Sequence, residues 1–194
     1  MTTKANPNST LSYFTVLTRL ALNLIILLLS FLISRVTIIE LLMPFSLGLL
    51  AASFLYKGTC PLFCFAGCVL AFVLPLSDDI WFRLSGLVVV YVLLFILQRK
   101  ISPKKWHAIL AIFIAGAVSV PIFKIDVLYN ILVSSAEVLL AIAMVYVFSS
   151  TLNIFFSRNK RSLLSDEEVV SLLLVALLLV LGIGEINLFG VYLR

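Results

Sequence analysis

Glu137, Glu40 with Pro44, the cysteines Cys60, Cys64 and Cys68, and His107 are the side chains here whose type or spacing could support chemistry. Glu137 lies in Ser134-Ser135-Ala136-Glu137-Val138, near the middle of a long apolar run. A carboxylate at the centre of a membrane-length helix is disfavoured by about 2.5–3.5 kcal/mol, so a buried function usually retains it. Its functional reading is a proton or cation site. Its structural reading is a protonated carboxyl hydrogen-bonded to a neighbouring helix, supporting packing or self-association.

Glu40 opens the segment Glu40-Leu-Leu-Met-Pro44-Phe45. A proline lacks an N–H, so a helix containing Glu40 would leave that residue's carbonyl without its donor. The segment predicts a kink or a late helix start, either shaping a small cavity or merely setting the helix start.

Cys60, Cys64 and Cys68 recur every fourth residue and share one helical face. Over two such steps the sulfurs spread along about 12 Å of helix, too far for all three to hold one ion. Small polarizable packing residues are the reading this spacing favours. His107 follows Lys104, Lys105 and Trp106, a basic and aromatic cluster suited to the headgroup layer rather than to catalysis. No phosphate-binding glycine loop, nucleophile elbow or zinc-protease motif is present, and no cofactor or metal site is expected.

The elements that must carry these residues are apolar. Of 194 residues, 63% are hydrophobic and 12% charged, with mean hydropathy +1.22. Soluble domains are about 25% charged, so this chain lacks the polar surface to cover a water-soluble globule. Continuous apolar runs without in–out alternation predict helices rather than a membrane barrel. The expectation is an all-α polytopic bundle of about seven spans, near 20–34, 40–56, 61–76, 80–97, 106–122, 128–148 and 169–184. They would form one integral membrane domain with no soluble domain.

End signals agree with these limits. Ser102-Pro103 predicts a cap before the fifth helix, and Ser165-Asp-Glu-Glu168 reads as a capping box opening the seventh. Asp78 and Asp79 suit the start of the fourth helix. Ala111, Ala115 and Ser119 put a small-residue face on the fifth. Lys57-Gly58-Thr59 makes a tight link between the second and third runs, where a re-entrant hairpin is the alternative to two crossings.

The net charge of +5 is dispersed over short loops and does not read as a nucleic-acid footprint. With the N-terminus inside, ten Lys and Arg residues fall on the cytoplasmic face and four outside, as the positive-inside rule requires. The first apolar run has no small-residue cleavage site and reads as a retained anchor. An odd number of spans puts the C-terminus outside.

The order of features resembles the membrane region of the stage II sporulation protein E family. The residues carrying the resemblance are Glu40-Leu-Leu-Met-Pro44-Phe45, Glu137, and the basic loop with acidic start over 158–168. That family is a metal-dependent serine/threonine phosphatase with a membrane region of about ten spans. Its role is dephosphorylation of an anti-sigma-factor antagonist, with localisation at the polar division septum. The resemblance implies a non-catalytic anchoring and assembly module in a bacterial cell membrane. The expected partners are the lipid bilayer, other copies of the chain, and a cell-division protein reached through cytoplasmic loops. Nucleic acid is not among them.

No phosphatase residue has a counterpart in this sequence, so the chain carries no catalytic constellation of its own. It stops ten residues after the last apolar run, on the outer side by the charge count, and the expectation is an architecture unfinished at Arg194. The rival reading is a small transporter or substrate-binding membrane subunit using Glu137.

Overall fold

A computed structural model describes the backbone of residues 7–36, 44–56, 60–73, 80–119, 127–156, 164–184, 187–188 and 191–192. Seven helices account for nearly all of it: α1 (Pro7–Ser34), α2 (Pro44–Ser53), α3 (Pro61–Val73), α4 (Ile80–Lys100), α5 (Lys105–Ser119), α6 (Val127–Phe156) and α7 (Asp166–Gly184). A two-residue antiparallel ladder, Asn187–Leu188 with Val191–Tyr192, follows α7 and leaves the all-α class unchanged.

The helices form a ring around one of their number. α1 packs on α3, α3 on α4, α4 on α5, α5 on α6, α6 on α7, and α7 returns to α1. Inside the ring stands α2, packed against α1, α3, α4, α5 and α6, with every one of its ten residues buried. The sequence Pro-Phe-Ser-Leu-Gly-Leu-Leu-Ala-Ala-Ser is apolar or small on all sides, as a helix with no solvent face must be. Pro44 is its first residue, where a missing N–H costs nothing. Among the described residues α7 is the ring helix without substantial contact to α2.

Contacts between named residues fix the helix directions. Ser30 lies beside Cys64 and Ser34 beside Cys68, so α1 and α3 run parallel. Ser53 lies beside Cys64 whereas the Ser46 carbonyl faces Cys68, so α2 runs against them. Gly48 meets Met144 and Tyr56 meets Ser149, making α2 and α6 parallel. Lys105 stacks on Tyr146 while Gly116 meets Ser134 and Val138, so α5 and α6 are antiparallel. The helix ends near Tyr56, Lys100, Lys105 and Asp166 therefore share one end of the bundle. Arg99, Lys100, Lys104 and Lys105 make it the basic end.

Glycine permits the close approaches. A Cβ at Gly48 would sit 2.7 Å from the Met144 Cβ and 2.9 Å from the Ala141 carbonyl oxygen. One at Gly67 would collide with the Ser30 hydroxyl and the Leu27 carbonyl of α1. An aromatic group, Phe54, Phe65, Tyr91 and Phe95, ties the end of α2 to α3 and α4 with ring centroids 4.7–5.8 Å apart.

Large apolar side chains line the outside of the bundle as well as its core. Leu28, Leu62, Phe113, Leu132, Leu139, Leu173 and Val180 are all more than half exposed on the outside of the ring, while serines of α1, α2 and α6 are buried inside it. By length and composition one described segment, Ile131–Ile154 of α6, is sufficient to cross a membrane; α2, α3 and α5 are shorter apolar helices. At 1.5 Å per residue the ten residues of α2 rise about 15 Å and the thirteen of α3 about 20 Å.

Several expected boundaries shift. The first helix begins at Pro7, well before residue 20, and the sixth continues to Phe156 rather than ending at 148. α5 starts at Lys105, two residues after Pro103, which therefore does not occupy its first position. The His107 ring supplies the cap instead: its Nδ1 accepts the Lys104 backbone N–H at 3.0 Å. Ala111 and Ala115 are buried, as their small-residue face predicts. Glu40, Asp78, Asp79 and the 158–161 loop lie outside the described residues.

Candidate functional site

At the basic end, a cavity of about 700 Å³ opens between the start of α5, the last third of α6, the first turn of α7 and Tyr56. Each wall has a local cause. The Ser165 capping box forms as its residue types require: the Ser165 N–H donates to the Glu168 carboxylate at 3.0 Å and the Glu168 N–H to the Ser165 hydroxyl at 3.3 Å. Asp166, Glu167 and Glu168 then place three carboxylates at the positive end of the α7 dipole.

Across the cavity, the Lys105 ammonium stands 5.0 Å from the centroid of the Tyr146 ring, a cation–π contact. Tyr56 donates its phenolic hydroxyl to the Ser149 carbonyl at 2.6 Å, fastening the chain after α2 to α6. The Ser149 hydroxyl donates to the Tyr146 carbonyl at 3.0 Å and the Ser171 hydroxyl to the Glu167 carbonyl at 2.8 Å. Ser150 and Asn153 complete a polar stripe on α6.

Such a lining can hold a polar or charged group by hydrogen bonds and by opposed charges. Among its serines, Ser149 and Ser171 donate to backbone carbonyls and the Ser165 hydroxyl accepts the Glu168 N–H.

A second cavity, about 190 Å³, lies between α1, α2, α6 and α7, where α7 stands off the central helix. Ile26, Ile33, Leu49, Phe148, Leu172 and Val175 are among its walls. Thr151 is its one polar residue, and that hydroxyl is held by the Val147 carbonyl at 3.1 Å.

Glu137 joins neither cavity. It is partly buried on α6 and has an interaction partner in the structure. Because α6 runs from Val127 to Phe156, Glu137 sits about a third of the way in from the end opposite the basic one, rather than near the middle. Pro44 is buried at the start of α2, away from both cavities. Tyr56, Lys105, Tyr146 and Ser149 are the site residues that sequence reasoning missed. Their signal is Tyr146, Ser149, Ser150 and Asn153, polar positions at helical spacing within an apolar run, which looked like the end of a span.

The polar cavity thus opens at the basic end of a helical ring whose outer surface is apolar. The SpoIIE N-terminal domain family model matches residues 2–194. The chain belongs to that family. It is a membrane-anchoring module of the sporulation phosphatase family, as the features at Pro44, Glu137 and 158–168 implied. Neither the curated proteins nor the solved structures contain a significant match.

Proposed function

We propose that this SpoIIE N-terminal domain is a multi-pass anchor: its helices lie in the bacterial cell membrane, the N-terminus is cytoplasmic, and the domain takes no part in phosphatase chemistry. It holds the signalling phosphatase at the membrane, at the polar septum during sporulation, and assembles there through contacts with other copies and with a division protein. The observation that carries this reading is the apolar outer surface of the ring, with large aliphatic side chains outward and α2 enclosed. Exposed Leu, Val and Phe on every side of a bundle require an apolar solvent. The short α2 is compatible with it, because all ten of its residues are buried among five other helices, away from lipid.

The basic end supports a cytoplasmic orientation for that side. Lys and Arg near helix ends favour the cytoplasmic leaflet and its anionic lipids. On this reading the polar cavity opens toward the cytoplasm, where a cytoplasmic region or partner can reach Lys105 and the Asp166–Glu168 turn. Fusions of a cytoplasm-active reporter near Pro103 and Lys160 should be active, and fusions near Asp78 and Asp126 silent. The opposite pattern would overturn the orientation, and uniform activity at all four points would overturn the multi-pass reading itself.

A further inference from the structure

The stripe of cysteines on α3 points into a junction that the anchoring role leaves unexplained. Cys64 and Cys68 are both fully buried where α1, α2 and α3 meet. Their thiols lie against one another, one helical turn apart. Around them the two other helices place hydroxyls in matching layers. Ser30 of α1 and Ser53 of α2 flank Cys64, and Ser34 of α1 flanks Cys68. All three serines are essentially inaccessible.

Ser34 is the distinctive member. Ser30 donates to the Leu27 carbonyl at 2.9 Å and Ser53 to the Leu50 carbonyl at 2.7 Å, as helical serines commonly do. The Ser34 hydroxyl stands beside the Cys68 thiol yet has no aligned hydrogen-bond partner, and among the described residues it is the one buried side-chain polar atom in that condition. A buried hydroxyl left unsatisfied calls for an explanation, the more so in a low-dielectric interior.

We propose that Cys64 and Cys68 form a two-sulfur site for a soft monovalent cation, Cu(I) in chemical class, with Ser34 as the hydroxyl donor that steadies its sulfur ligands. Two thiolates without nitrogen or carboxylate partners select a soft d10 ion over Zn²⁺, which takes four ligands in structural sites. Three cysteines spread over two turns cannot all bind one ion, but the pair one turn apart can. Cys60, one further turn toward the basic end and partly exposed, is placed as the sulfur that receives the ion and passes it inward by ligand exchange.

Binding transfers no electrons: Cu⁺ displaces the proton of each thiol it takes, and one or two protons leave to solvent. The Ser34 hydroxyl then finds its missing acceptor in the Cys68 sulfur. Affinity should rise with pH, by up to about a hundredfold per unit when both thiols give up protons.

The test is anaerobic Cu(I) titration of the protein in lipid nanodiscs, against bicinchoninate as competing chelator. The expected result is one more Cu(I) bound per chain in the wild type than in the Cys64→Ser/Cys68→Ser double variant. Ser34→Ala should keep that stoichiometry and lose affinity by about tenfold, with helicity unchanged by circular dichroism. Cys60→Ser should slow loading and leave the final stoichiometry intact. Equal uptake by wild type and double variant, or no competition with the chelator by folded wild type, overturns the proposal. A double variant that fails to fold leaves the decision to Ser34→Ala, for which an unchanged affinity is the overturning result.

Discussion

The two flanks of α1 are built from different residues and pack differently. Toward α3, Gly67 brings the backbones together, and Ser30, Ser34, Cys64 and Cys68 fill the junction with small side chains. Toward α7, Gly182 allows a close approach at one end, against the Leu32 carbonyl, but along the cavity the facing residues are Ile, Leu and Val with Ala176 as the one small side chain. There α7 stands off α2, and a cavity of about 190 Å³ remains. Small residues on facing helices let backbones touch and supply local hydrogen bonds, whereas large branched ones hold helices apart and leave space their shapes do not fill.

Added volume should therefore act with opposite sign on the two flanks. Gly67→Val pushes a branched side chain into the Leu27 backbone, which cannot move aside as a side chain tip would. It should destabilise the bundle by about 3 kcal/mol, measured by loss of helicity on denaturant titration in mixed micelles. A loss below about 0.5 kcal/mol would mean the α1–α3 approach is looser than the structure has it.

On the other flank, Val175→Leu adds one methylene to the wall of the apolar cavity. It should raise stability in the same assay by about 0.8 kcal/mol. Destabilisation there would show that the two flanks are equally tight. The smallest effect belongs to the first turn of α7. Ser165→Ala removes the hydroxyl that caps Glu168 and should cost about 0.5–1 kcal/mol, read as faster amide exchange at residues 166–169 with little change in the α1–α3 junction. Equal acceleration in both places would mean the flanks unfold as one unit.

Much of this is legible in the sequence. The all-α class follows from continuous apolar runs, and the capping box at Ser165 is visible as four consecutive residues. The small-residue stripe at Ala111 and Ala115 likewise declares a packing face. What local pattern mislocated were ends: α6 passes through Ser149, Ser150 and Asn153 to Phe156, because its polar residues line a cavity there instead of leaving the helix. Glu137 lost its central position for the same reason. The sequence pattern identified the Cys60, Cys64 and Cys68 stripe but not the serines of α1 and α2 that converge on it.

By itself, then, the sequence determined properties set within one helix turn or one helix length: composition, apolar period, caps and the distribution of Lys and Arg. Tertiary structure alone decided that α2 is the enclosed helix, that Tyr56 reaches Ser149 across 93 residues of chain, and that the Cys64–Cys68 pair meets hydroxyls from two other helices. The physical reason is range. Backbone hydrogen bonds and caps act between neighbours in sequence, whereas the choice of partner among seven similarly apolar helices rests on where glycines and serines permit close approach, and that is settled only when the surfaces meet.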